Sequence, residues 1–441
     1  VVGLPKESVN PLQHEALDEA FGQLFEDLSK GKPIICPTTG VVHPALPRVS
    51  CAVIDIYASR PLELIRKLGP GGVGVYVWYS PAATRLLTWN GPEDAGAKNH
   101  QLAGIAAGAE RSGHSAFKLA AEICLARDGS VIKIPGLPPM YDYELFPQRI
   151  ALIAFKPLTC PRTLEGCDGI ILSTPECYEP ETIQAVRRYY QRTSRSVYVC
   201  GPLTASEAPT QATAFERQHP ETAAIEQMLD DVLKERGKGA LLYVSFGSLF
   251  WPPVPNLLWA LLEVVMELDI PFILGYASAW AVLPDAIQQK VDAYPYGLLS
   301  RWCPQHVILT HEATGWFLTH GGHNSVVEAI SQGVPMICWP YQFDQPTNAI
   351  HMSCNLDIAY ELYEVRTEDG LKPIHHLGRA PEGTEDSVRW EAKVILQLAF
   401  GEDGRRKRRN VEKLRARLRE AWAEDGPATR ELRAFVSSLG C

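Results

Sequence analysis

Short β-branched runs alternate with amphipathic stretches along almost the whole chain, and that alternation limits the possible fold more than any other feature. Strands separated by helix-length crossovers pair in parallel, with helices laid over the sheet, so the pattern predicts an α/β protein. The first half offers strands at 50–56, 73–79 and 169–172, and the second at 241–245, 272–274, 297–299, 315–319 and 335–339. Between the halves, residues 201–220 are rich in Pro, Thr, Ala and Ser with neither period, and read as a linker. At 441 residues the chain exceeds one ordinary domain. Two α/β domains on one linker leave a cleft, and sheets of this class bind ligands at the carboxyl ends of their strands.

The net charge of -9 argues against a nucleic-acid partner. A phosphate-bearing ligand must then be met by local dipoles and a few placed side chains. The eleven cysteines are scattered singly, without a CxxC pair or Cys/His ligand spacing, so neither a disulfide framework nor a metal site is expected. A reducing, cytoplasmic compartment fits that usage. No run approaches the roughly 18 apolar residues of a membrane span, and no Asn-x-Ser/Thr site occurs. The basic run 405–409 lies beside Glu402, Asp403 and Glu412 and reads as a solvated helix face. Gly69-Pro-Gly71-Gly72-Val-Gly74 spells the dinucleotide fingerprint, but a helix precedes it and a strand follows. That order is reversed, so it reads as a helix-to-strand turn.

The chemistry concentrates between Trp302 and Gln345. The strand at 315–319 ends in His320-Gly321-Gly322-His323, and a helix follows, beginning near Asn324 or Ser325. Free N–H groups and the positive end of such a helix attract a diphosphate. The glycines permit close backbone approach, and His320 is placed to donate to a phosphate oxygen. Read alone, Ser325-Val-Val-Glu328 is also a capping box that would only satisfy the helix end. Read alone, Trp302 is a core residue or a turn plug and Asp344-Gln345 a solvated loop.

Taken together, these pieces resemble, without a gap, the signature box of the UDP-glycosyltransferase superfamily, glycosyltransferase family 1. Weaker similarity continues through Cys51-Ala-Val-Ile-Asp55, Ile134-Pro-Gly-Leu-Pro138, residues 176–183 and Val199-Cys-Gly-Pro-Leu203. The resemblance implies the GT-B fold, two Rossmann-like domains facing across a cleft. Residues 1–200 would bind the acceptor, 201–222 link, 223–415 bind the UDP-sugar, and 416–441 return to the first domain. It implies that Trp302 stacks on uracil while the Cys303 backbone and Gln305 read the base edge and ribose. Glu328 would hold the ribose hydroxyls, His320 the diphosphate, and Asn324 with Ser325 the alpha phosphate beside Gly322. Asp344 and Gln345 would bind the sugar, with Gln345 indicating glucose. Gly247 and Ser248, in Tyr243-Val-Ser-Phe-Gly-Ser248, match the family's other phosphate loop. Where the plant box has Cys-Gly-Trp, this chain has Gly321-Gly322-His323, closer to fungal and animal relatives.

The resemblance further implies inverting, metal-independent transfer from a UDP-sugar co-substrate, without a cofactor, to a hydroxyl of a small apolar acceptor. Asp55 would orient a His general base; read on its own, it is a polar strand-end cap. No histidine before Asp55 matches that base, since His14 and His43 follow no apolar strand. About two strand–helix units are therefore expected upstream of Val1, and the chain as given is expected to bind UDP-sugar but transfer poorly. Trp78, Tyr79, Trp89, Met140, Tyr141 and Phe155 are candidates for the acceptor pocket. Two other functions fit the same box: a UDP-sugar-binding protein without its own base, and a GT-B sugar-nucleotide epimerase.

Overall fold

The computed structural model describes residues 15–36, 38–45, 47, 49–69, 71–102, 116–149, 159–203 and 221–439. Most of the expected linker, together with His14 and Phe155, lies outside the described residues. The first sheet holds β1 (Cys51–Asp55), β2 (Gly74–Tyr79), β3 (Gly169–Leu172) and β4 (Ser196–Val199), in that spatial order and all parallel. Its crossovers include α1 (Ser59–Leu68), α2 (Ala83–Asn90) and α3 (Pro180–Gln191). Side chains alternate across β2. Val75, Val77 and Tyr79 enter the core with Leu86, Ile170 and Ile183, while Tyr76 joins Tyr198 and Phe435 on the opposite face. Gly72, at φ +98°, lies in the turn from α1 to β2, the place read for the decoy fingerprint.

The second sheet holds β5 (Leu241–Ser245), β6 (Phe272–Gly275), β7 (Gly297–Ser300), β8 (Thr314–Thr319), β9 (Met336–Cys338) and β10 (Ala359–Glu361). Their spatial order is β7-β6-β5-β8-β9-β10, again all parallel. The chain thus starts at the centre, winds outward to one edge, and crosses back to wind the other way. Loops leaving β5 and β8 diverge, which opens a crevice between these adjacent strands. Helices cover both faces. Leu242 and Val244 pack with α4 (Pro255–Glu267), whereas Leu241 and Tyr243 pack with the helix Thr222–Arg236 and with α5 (His323–Ser331). Burial on both sides explains why β5 reads as a continuous apolar run rather than an alternating one.

The two halves meet where α2 faces α6 (Gln345–Ile350). Thr84 Oγ1 donates to Thr347 Oγ1 at 3.2 Å, and Tyr178 Oη donates to Asn348 Oδ1 at 3.1 Å. At the other end, α7 (Glu402–Glu420) packs on the second core through Val411, Leu414 and Leu418, so the expected boundary at 415 falls inside one helix. α8 (Pro427–Ser438) then lies on the first sheet. Phe435 sits edge-on to Tyr76 at 4.8 Å between ring centroids, and Glu431 accepts from Arg187 at 2.7 Å and from the Val199 N–H at 3.0 Å. The basic run on α7 is not simply solvated: Lys407 is buried against Asp357 at 2.7 Å, and Arg408 donates to the carbonyls of Gly315 and Gly333.

Candidate active site

The crevice between β5 and β8 opens into a cavity of about 460 Å³ lined from both sheets. On the second-sheet side it is lined by Gly247, Ser248, His320, Gly322, Asn324, Ser325, Asp344 and Gln345, among others. The sequence puts glycine where the His320 ring must pass. A Cβ on Gly247 would lie 3.1 Å from its Cε1, and one on Gly322 would lie 2.7 Å from its Nε2. Gly247 and Gly321 also hold positive φ, at +72° and +80°, which disfavours any side chain. Enclosure among these glycines and Phe250 holds the His320 imidazole down to about 4, so it is neutral near pH 7. Its Nδ1 has no partner among the described residues.

Gly322, not Ser325, is the N-cap of α5. The capping-box reading therefore fails, because Ser325 already sits one residue past Asn324 in the first turn. Early helix N–H groups have no intrahelical acceptor. That of His323 donates to Asp344 Oδ2 at 3.3 Å, and Asn324 and Ser325 line the cavity. Glu328 turns instead toward the Trp302 segment. Its Oε2 accepts from Gln305 Nε2 at 2.7 Å, and the same Gln305 nitrogen lies 3.5 Å from Ser325 Oγ. Burial raises the Glu328 carboxyl above its usual range, a bias the Gln305 bond opposes. Trp302 is half-buried, with its N–H donated to Glu221 Oε2 at 3.1 Å. Cys303 packs at Gly275, and burial pushes its thiol up to about 12. Trp302, Cys303, Gln305 and Glu328 thus form a second cluster beside the cavity, joined to it through Ser325.

Asp344 and Gln345 are buried rather than solvated. The Asp344 carboxylate also accepts the Ala82 N–H at 3.4 Å, across the two halves of the molecule. Gln345 commits its amide oxygen to the N–H groups of Tyr341, at 2.9 Å, and Gln342, at 3.2 Å. Asp55 ends β1 on the exposed side, where its Oδ1 accepts the Tyr57 N–H at 2.9 Å. No hydrogen bond joins it to an imidazole among the described residues. Of the acceptor-pocket candidates, Tyr79 and Trp89 line the cavity. Trp78 points to the opposite face of the first sheet, Met140 is core, and Tyr141 stacks on Tyr143 at 5.1 Å. Strand alternation and a local ring stack, neither visible in composition, account for these misplacements.

Residues 217–371 match the family model described as UDP-glucoronosyl and UDP-glucosyl transferase. The chain is 33% identical to UDP-glycosyltransferase eriJ of Hericium erinaceus over 71% of its own length. The chain belongs to the UDP-glycosyltransferase family. It covers 63% of that relative, and 64% of the crocetin glucosyltransferase of Gardenia jasminoides, with which it shares 27% identity over 70% of its own length. A UGT transferase from Siraitia grosvenorii, solved in complex with UDP, superposes with a TM-score of 0.65 at 19% identity, covering 100% of this chain and 91% of that one. UGT2 of Phytolacca americana, complexed with UDP-2fluoro-glucose and pterostilbene, gives 0.63 at 21%, covering 99% and 83%. The fold of this family member is GT-B, two Rossmann-like domains across a cleft.

Several residues that shape the family member's cleft escaped the sequence reading. Glu179 is buried and caps α2, accepting the Ala83 N–H at 2.7 Å and the Thr84 N–H at 3.0 Å; burial raises its carboxyl to about 7. Phe343 holds φ +62° beside the cavity, a conformation no local sequence signal announces. Arg85 lines the cavity from α2, and here a signal existed: a lone charge inside the otherwise uncharged Ala82-Ala83-Thr84-Arg85-Leu86-Leu87. His323, which stands where the plant box has Trp, is 4% exposed, and neither ring nitrogen has a partner among the described residues. No helix among the described residues is long and apolar enough to cross a membrane.

Proposed function

We propose that this chain transfers a hexosyl group, glucose by preference, from a UDP-sugar to a hydroxyl of a small acceptor, inverting the anomeric carbon without a metal or cofactor. The observation that carries this reading is the crevice between β5 and β8. There the glycine-bounded His320 ring and the start of α5 converge on one cavity that also reaches the first sheet. A diphosphate meets N–H groups and the positive helix end there. Trp302, Cys303, Gln305 and Glu328 would take the nucleoside, His320, Asn324 and Ser325 with Gly247 and Ser248 the phosphates, and Asp344 and Gln345 the sugar.

In the proposed step the acceptor oxygen attacks the anomeric carbon, and the bond from that carbon to the diphosphate oxygen breaks. UDP leaves with the electron pair, and the acceptor proton passes to a general base. A neutral His320 donates an N–H to the departing phosphate, and the helix start stabilises its growing charge, the role a metal plays elsewhere. Asp55 would orient the base. The described residues supply no imidazole bonded to it, so donor binding and leaving-group stabilisation are what the assigned residues carry. The ten cysteines among the described residues are unbridged, in keeping with a cytoplasmic setting.

The lone Asp55 also favours a second reading, a protein that holds UDP-sugar without transfer. UDP release from UDP-glucose, measured with and without a panel of hydroxylated aromatic and terpenoid compounds, separates the two. Acceptor-dependent release supports transfer. UDP binding with no release for any acceptor supports the second reading, and conversion of the sugar without an acceptor would point to an epimerase and overturn both.

A further inference from the structure

α2 is a largely buried helix with a single charged residue. Arg85 is 4% exposed, yet among the described residues its guanidinium makes no hydrogen bond and no carboxylate oxygen lies within ion-pair distance of it. It lies against two rings that touch each other, 4.0 Å from the Trp89 centroid and 5.6 Å from that of Phe343. The titratable groups facing it include Tyr79, Tyr57, Asp344, Cys160, Cys124 and a second cation, Arg127. Of these only Asp344 is an ordinary anion, and its Oδ2 is already shared between the N–H groups of Ala82 and His323. Arginine cannot escape burial by shedding its proton, and a buried charge without a counterion is strongly disfavoured. Ring stacking offsets part of that penalty and leaves the planar donor edge unused.

A second observation points the same way. Arg85 and Trp89 line both the 460 Å³ cavity and a smaller one behind it, about 40 Å³, room for a carboxylate and not for a ring. The smaller cavity, itself partly open, carries Lys98 and Arg127 as well. Arg127 stacks on Phe146 at 3.4 Å, and its Nε and Nη2 are buried with no partner. The single carboxylate there, Asp142, is committed to the N–H groups of Asp128 and Gly129, each at 3.0 Å.

We propose that the acceptor carries a carboxylate, which Arg85 receives at the mouth of the smaller cavity while the acceptor hydroxyl remains in the larger one. This inference rests on the transferase reading and replaces a purely apolar acceptor with an amphiphilic one, an apolar body bearing an acid at one end. Planar, two-point recognition of a carboxylate is what an unpaired guanidinium edge supplies.

The test is calorimetric titration of hydroxylated aromatic acids, such as 4-hydroxycinnamate, each against its methyl ester, with and without saturating UDP. Wild type should prefer the acid by about tenfold or more, as expected for a hydrogen-bonded charge pair. Arg85→Met should abolish the preference, Arg85→Lys should keep part of it, and UDP affinity should be the same in all three. Arg85→Met should also raise Tm, because it removes an uncompensated cation. Equal binding of acid and ester across the panel, a preference that survives Arg85→Met, or a lowered Tm showing that the cation is structural would each overturn the proposal. So would a loss in Arg85→Met confined to UDP-glucuronate, which would place the carboxylate on the sugar. Failure of wild type to bind UDP would sink the transferase reading while the acid-over-ester comparison without UDP still decides Arg85.

Discussion

The second-sheet wall of the cleft includes backbone that leaves no room for a side chain: Gly247 and Gly322, which bound the imidazole of His320 at the start of α5. The first-sheet wall is made of side chains at strand ends and on α2: Tyr57, Tyr79, Arg85 and Trp89. A wall of backbone admits few sequences, because a Cβ in the wrong place closes it. A wall of side chains admits many, and whichever residues occupy it set what fits. On the proposed reading, the contrast puts donor binding on one sheet and acceptor selectivity on the other.

The sharpest way to break that contrast is Gly322→Ala, which puts a methyl 2.7 Å from His320 Nε2. Displacing the ring and the helix start should cost UDP about 100-fold in affinity, the order of one hydrogen bond to a charged group, by calorimetry on protein shown folded by circular dichroism. Unchanged affinity would mean that the glycines are mere turn residues. Trp302→Ala should weaken UDP by about tenfold, within the roughly 1 to 3 kcal/mol of an aromatic stack on a base. If instead the change lowers only Tm, Trp302 is a core plug.

Gln345→His should move donor preference from UDP-glucose toward UDP-galactose by only a few-fold, since a few hydroxyl contacts decide it. A donor panel checks this, and a wild type that already prefers UDP-galactose or UDP-glucuronate would remove Gln345 from the sugar site. The smallest effect concerns acid stability. Burial holds His323 down to about 3 from an ordinary 6.5, so the unfolded chain binds the proton first. The stability tied to its neutral form is present above pH 6.5 and is lost as pH falls toward 3. His323→Leu should therefore move the acid unfolding midpoint to lower pH with UDP affinity at pH 7 little changed. A midpoint that stays put would mean the imidazole finds a proton partner in solution.

Legibility in the sequence followed the same division. Eight of the ten strands in the two sheets were readable to within a residue or two, because most are buried on both faces and leave apolar runs that end abruptly; β4 and β10, each at the edge of its sheet, were missed. The loop at His320 was readable because it needs glycine, whereas the helix start was misread by the Ser325 and Glu328 pair. A capping box describes spacing, and here the backbone had already turned at Gly322. Glu221 was missed because its role, receiving the Trp302 N–H at 3.1 Å, joins residues 81 positions apart. Trp78 and Met140 were misplaced because a run of strand residues does not say which face is wet. Arg85 was legible in principle, as the one charge in its helix, but its meaning lies in the absence of a partner, which only packing reveals.

Titration with UDP and with uridine, in wild type and in Gly322→Ala, tests most directly whether the second-sheet wall is a diphosphate site. Wild type should bind UDP at least about 100-fold more tightly than uridine, as charge-assisted bonds to the phosphates require, and Gly322→Ala should collapse most of that gap while leaving uridine affinity unchanged. Uridine binding as tightly as UDP, or a gap that survives the substitution, would contradict the account.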